Sequence, residues 1–334
     1  MPDKLLDPVL ESSALPLDRT SVGSTLPIAD FESIHRDFLA AATSENTRRT
    51  YRSAIRHFLA WGGVLPADEN GIIRYLLAHA GTHNARTLAL RLTALSQWHV
   101  YQGFPDPAGT ATVRKTLKGI GRTHGRPKKQ AKALPIEDLE KIVCKLATLE
   151  SIKAKRDSAL LQLGFFGGYR RSELAALQFA DLAWEPDGLI VTLRRSKTDQ
   201  QGLGIIKAIP YGTGTCCPAT ALRTWLDAAG IDGGAAFRSV NKWEMVGERA
   251  IHPASVNTIL ADCAAFTGLD YVPDLSSHSL RRGMATSAYR AGADFREIKR
   301  QGGWRHDGTV QGYIEEAGRF EENATRHLLR KPSA

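Results

Sequence analysis

The stretch Gly302–Tyr313 reads GGWRHDGTVQGY. Two glycines precede a tryptophan, and a tyrosine follows the tryptophan nine residues later. Both rings could be core aromatics of a helical C-terminal domain, the commonest fate of such residues. The other reading is that the glycines end a helix, Trp304 faces a reacting group, and the next helix presents Tyr313 as a nucleophile. The rest of the chain decides between the two.

With 334 residues the chain is long enough for two domains. Its hydrophobic content of 43% and charged content of 24% are those of a globular protein. No apolar run approaches the ~20 residues of a membrane span. The N-terminus carries early acids and no long apolar core, so it does not read as a secretory signal; residues 1–29 are expected to form a tail. Cys144, Cys216, Cys217 and Cys263 lack metal-ligand spacing and read as reduced thiols, with no metal site expected. The net charge of +9 suits a polyanionic partner.

The basic excess is uneven. From Arg114 to Lys132 eight cations stand without an acid, among Gly119, Gly121, Gly125 and Pro127. Residues 122–133 read as an exposed basic linker carrying Arg122, Lys128, Lys129 and Lys132, placed to follow a phosphate backbone. Before it, residues 30–121 read as an all-helical domain. Ser44 is an N-cap with Glu45 in the first turn. Tyr51, Ile55, Phe58 and Leu59 form an apolar stripe, and Leu88, Leu92, Leu95 and His99 repeat the spacing. The opposite faces carry Arg48, Arg52, Arg86 and Arg91, candidate DNA contacts.

Residues 134–334 read as a second domain. ALPIEDLEKIVCKL opens it as a helix. Helical pattern then continues with one interruption, where GLIVTLR (188–194) and GIIKAIPY (204–211) form a hairpin with Lys197 near its tip. The expected fold is therefore mainly α with a small β-hairpin. Four clusters stand out: GGYRRSEL (167–174), which puts Arg170 on a turn between helices with Glu173 just after it; Lys197; HSLRR (278–282), with His278 and Arg281 three apart; and Trp304 with Tyr313. Singly each is weak.

In this order the clusters resemble the tyrosine recombinase (phage integrase) family, over nearly the whole chain. The tryptophan at position 304, where most members have histidine, resembles its Cre-like branch. The resemblance implies a two-domain, C-shaped DNA clamp. It implies that Tyr313 is the nucleophile, that Arg170 and Arg281 hold the scissile phosphate, that Lys197 protonates the leaving 5′-oxygen, and that His278 relays a proton. Trp304 takes the second His/Trp position, and Glu173 is expected to orient Lys197 or His278. It further implies a 3′-phosphotyrosyl intermediate, double-stranded DNA with an inverted-repeat site, a homo-tetramer on DNA formed from monomers or weak dimers, no cofactor, and a cytoplasmic, nucleoid-associated enzyme of prokaryotic, phage or plasmid origin.

The chemistry of these residue types agrees. Two guanidinium groups can donate paired hydrogen bonds to a phosphorane and neutralise its developing charge. A phenol with a reference pKa of about 10 needs such neighbours to attack. A type IB topoisomerase uses a similar set, an integrase-derived regulator would have lost one of these residues, and a metal-dependent nuclease would need an acidic cluster that the sequence lacks. The last residues hold Phe320, Leu328 and Leu329, an apolar set that either folds back or docks on a second protomer.

Overall fold

The computed structural model describes residues 43–127, 130–194 and 204–329. The expected N-terminal tail, Lys128, Lys129 and Lys197 lie outside the described residues. The chain divides into two compact units between Lys128 and Lys129.

The first unit is helical: α1 (Glu45–Trp61), α2 (Glu69–Ala78), α3 (Ala85–Tyr101) and α4 (Ala111–His124). Each begins at a side-chain cap. The Ser44, Asp68, Asn84 and Thr110 oxygens accept backbone N–H groups of the first turn, donors that would otherwise have no partner. Ile55 and Phe58 pack with Ile72, Tyr75, Leu88, Leu92 and Leu95 in one core. The expected stripe fails at Leu59, which is 38% exposed. One residue on from Phe58 is a rotation of about 100°, enough to turn a side chain out of the core. His99 is fully buried; its Nδ1 donates to the Leu95 carbonyl at 2.8 Å, and its Nε2 accepts the Ala67 N–H at 2.9 Å. Helix α4 continues to His124, so the stretch read as a linker begins as helix around Arg122.

The second unit is built around α6 (Ile152–Phe166), which follows α5 (Ile136–Ala147). Helix α6 is buried along nearly its whole length. Its buried charges, Arg156 and Asp157, pair with each other, and α6 packs against α5, α8 (Pro218–Ala228), α9 (Ser255–Thr267) and α10 (Ser277–Arg290). The short α7 (Arg171–Ala176) leads into the sheet.

The sequence reading gave a two-stranded hairpin; the structure has a three-stranded antiparallel sheet in the order β1 (Leu182–Glu185), β2 (Gly188–Leu193), β3 (Ile205–Pro210). Four residues, LAWE, are too few to declare a strand by alternation alone. A second antiparallel pair, β4 (Arg238–Val240) with β5 (Val246–Ala250), also went unread. It is short, bulged and largely exposed, so it carries little apolar pattern. Helices α11 (Phe295–Gly302), α12 (Asp307–Ala317) and α13 (Ala324–Leu328) complete the unit, with α11 and α12 both packed on α10. The fold is thus mainly helical with small antiparallel sheets, as the sequence indicated. Among the described residues no helix is long and apolar enough to cross a membrane.

Candidate active site

Helix α6 ends at Phe166, and the chain turns through Gly167 and Gly168. Gly168 has φ +56°, and a Cβ there would meet Met284 at 2.6 Å and the Gly302 backbone at 3.3 Å. Only glycine satisfies both demands. The turn delivers Arg170 in extended conformation as the N-cap of α7. Glu173, at the third helical position, accepts the Arg170 N–H at 2.9 Å and the Arg170 guanidinium at 2.5 Å. Glu173 is buried, so this is a partly desolvated pair. Its partner among the described residues is Arg170; Lys197, one of the two partners expected from the sequence, lies outside them. The capping position explains the pairing with Arg170: three residues on, a carboxylate reaches back to the cap residue.

Arg281 sits in the second turn of α10 and is 3% exposed. One terminal nitrogen donates to the Gly168 carbonyl; Nη2 is buried without a partner among the described residues. Burial, and then the Arg170 charge, push its pKa down to about 10, against the opposing pull of Glu173 and Tyr313. Its guanidinium lies 4.3 Å from the Trp304 ring, and the Trp304 and Tyr313 rings are 5.6 Å apart.

The opening question has a packing answer. A Cβ on Gly302 would lie 1.8 Å from the Trp304 ring, and Gly303 closes α11 with φ +63°. The glycines let the indole fold back over the end of α11 and meet Arg281. Trp304 is therefore both buried core and a wall of the site. Tyr313, on the second turn of α12, is half-buried, with the Arg282 guanidinium 5.4 Å from its ring. Arg282 holds α12 in place: it donates to the Glu316 carboxylate and, at 2.6 Å, to Gln130.

His278 stands exposed on the first turn of α10, while Arg281, three residues on, is buried. They share a helix but not an environment. The structure thus brings together Arg170, Glu173, Arg281, Trp304 and Tyr313. Sequence reasoning passed over Lys207, which enters the same cluster from β3 and is 3% exposed. The signal was legible: Ile205, Lys207 and Ile209 alternate onto one strand face, so the lysine had to point with the isoleucines.

The candidate DNA contacts fall into three groups. Arg86, Arg122 and Lys132 are exposed, with the Lys132 ammonium 3.8 Å from the Tyr271 ring centre. Arg48 donates to the Thr43 carbonyl and to Glu45, and Arg52 has its Nε buried. Arg91, expected on the outer face, turns inward. Its Nη1 lies 3.1 Å from both ring nitrogens of His57 and 3.3 Å from the Tyr75 hydroxyl. His57, His79 and His83 come together there, their ligand-capable atoms within 4.8 Å of one another. Burial and the Arg91 charge lower the pKa of all three.

The sequence pattern described as "Phage integrase family" matches residues 132–319. The chain is 34% identical over 302 residues to "Integrase/recombinase xerD homolog" of Selenomonas ruminantium, covering 88% of each. It is 29% identical over 285 residues to "Tyrosine recombinase XerC" of Corynebacterium efficiens, covering 82% of each. Among solved structures it resembles the XerH site-specific recombinase bound to palindromic difH substrate, with TM-score 0.59, 18% identity, and 88% and 85% of the two chains covered. It likewise resembles a lambda integrase tetramer bound to a Holliday junction, with TM-score 0.59, 16% identity, and 88% and 79% covered.

Proposed function

Because the chain belongs to the phage integrase family of tyrosine recombinases, we propose that it is a site-specific recombinase that cuts and rejoins DNA through Tyr313. The observation that carries this reading is the Arg170–Arg281–Trp304–Tyr313 cluster, in which one buried arginine nitrogen has no protein acceptor among the described residues. Arg170, Arg281 and Lys207 face one carboxylate there, so the cluster is built to receive an anion.

In this reading the scissile phosphate settles on Arg170 and Arg281. The Tyr313 oxygen attacks phosphorus, the bond to the 5′-oxygen breaks, and a 3′-phosphotyrosyl ester forms. The phenol proton passes to a nearby base, for which His278 is the proposed relay, and Lys197 protonates the departing 5′-oxygen. The ester keeps the backbone bond energy, so rejoining needs no nucleotide triphosphate, and the two arginines supply the charge neutralisation that a metal would otherwise give. Trp304 fixes the Arg281 plane. Its presence is the one feature on which a Cre-like placement rests.

In this reading the first unit, whose helix α4 runs to His124, is the DNA-binding domain and residues 134–334 are the catalytic domain, with the basic stretch between them following the backbone of duplex DNA that carries an inverted-repeat site. Assembly as a homo-tetramer on two sites draws support from the tail, where Phe320, Leu328 and Leu329 are 71–83% exposed. A cavity of about 530 Å³ between β3, α10 and α11, lined by Ile209, Met284, Ala288 and Ile298, offers such apolar groups a seat on a neighbouring copy.

The test is covalent trapping. Protein is incubated in EDTA with a duplex selected for non-covalent binding from a random-sequence library, then stopped with SDS. Wild type is expected to yield protein-linked DNA, and Tyr313→Phe to yield none while binding the same duplex. Equal adduct from both proteins would sink the assignment of Tyr313.

A further inference from the structure

Three consecutive backbone carbonyls precede Arg170, and side chains from three different elements hold them. Gln301 of α11 donates to the Phe166 carbonyl at 2.9 Å, Lys207 of β3 to that of Gly167 at 2.6 Å, and Arg281 of α10 to that of Gly168. Such convergence on one short turn is what fixes where the next side chain goes. Lys207 is the unusual member. A lysine on the inner face of a strand is rarely tolerated unless its ammonium has a specific partner. Here it also lies 4.5 Å from the Tyr169 ring, and a Cβ placed on Gly303 would come to 3.9 Å from its ammonium.

We infer that Lys207 is a positioning residue for strand cleavage, bracing the Gly167 carbonyl so that the turn aims Arg170 at the scissile phosphate. The inference rests on the recombinase reading above. It differs from the role given to Lys197, because Lys207 acts through the turn and touches no reacting atom.

Among the described residues, charged or titratable groups act on Lys207 from three neighbouring elements. Arg281 comes from α10, Arg170 and Glu173 from the start of α7, and Tyr169 from the turn; Gln301 of α11 and Gly303 just after it carry no charge. Burial is the largest influence on the ammonium, followed by Arg281; Glu173 opposes them, and the Lys207 pKa is pushed down to about 7. Below that pH the bond to Gly167 is charge-assisted; above it the amine still donates, but more weakly. The sign is therefore fixed: Lys207 braces the turn best at lower pH and loses hold as pH rises through about 7.

The experiment uses the binding-selected duplex at limiting concentration and measures single-turnover adduct formation from about pH 6 to about pH 9. Wild type, Lys207→Met, Lys207→Arg and Tyr313→Phe are compared, with duplex affinity and thermal melting recorded for each. Lys207→Met is expected to cleave about 100-fold more slowly at unchanged duplex affinity, the scale of a small misplacement of a catalytic group. Lys207→Arg, always charged, is expected to recover most of that rate and to lose the decline that wild type shows above neutrality. The inference is overturned if Lys207→Met cleaves within about threefold of wild type. It is equally overturned if Lys207→Arg keeps the wild-type decline, or if cleavage, duplex affinity and melting fall together. The Lys207→Arg profile decides the matter even where Lys207→Met does not fold. A wild type that binds the duplex yet forms no adduct is a different result: it overturns the recombinase reading itself.

Discussion

Arg91 in the first unit and Arg281 in the second are both arginines drawn inward, and they end up in opposite situations. Arg91 meets a phenol and an imidazole, two neutral groups that accept its hydrogen bonds. Arg281 meets a backbone carbonyl and an indole face, with Arg170 and Lys207 as cationic neighbours and one nitrogen left without an acceptor. The first arrangement is closed and serves the fold. The second is short of negative charge, and a buried donor without an acceptor costs about 1–3 kcal/mol. A fold keeps such a deficit where a ligand fills it, and in the proposed function that ligand is the scissile phosphate.

The comparison breaks first at Arg281. Arg281→Lys keeps a charge but loses the planar fork; adduct formation is expected to fall about 100- to 1000-fold with little change in duplex affinity. A loss below about fivefold would show that the second unit's cation is as structural as Arg91. Glu173→Gln comes next. It keeps the cap to the Arg170 N–H and removes the charge that holds the guanidinium, so a loss of about tenfold in cleavage is expected, with melting nearly unchanged. Arg91→Met should do the reverse: about 1–2 kcal/mol of stability lost in denaturant titration, and the salt dependence of DNA binding unaltered. Arg122→Ala, at an exposed position, should leave stability alone and lower the salt slope by about one. The smallest effect is on pH. The imidazoles of His57, His79 and His83 have folded pKa values below their usual 6.5, so the unfolded chain takes up protons first. The first unit should therefore lose melting temperature as pH falls below about 6.5, and His79→Gln should blunt that loss.

Much of the site was readable because its residues sit at element boundaries with local signatures. The Gly167–Gly168 turn, the Arg170–Glu173 spacing and the Gly302–Gly303 pair before Trp304 each announce a helix end. What was misread required a partner from elsewhere in the chain. Arg91 was placed outside, because nothing in α3 reveals that His57 and Tyr75 of other helices lie beside it. Lys207 was passed over, although its alternation with Ile205 and Ile209 showed which way it points.

Sequence alone determined the helical class, the order of the candidate catalytic residues and the excess of cations, because capping, periodicity and composition are local. Only the tertiary structure decided which cations are satisfied and which are not. Whether a buried guanidinium is neutralised depends on groups brought within about 4 Å by packing, and electrostatic energy in a desolvated interior changes steeply over that distance.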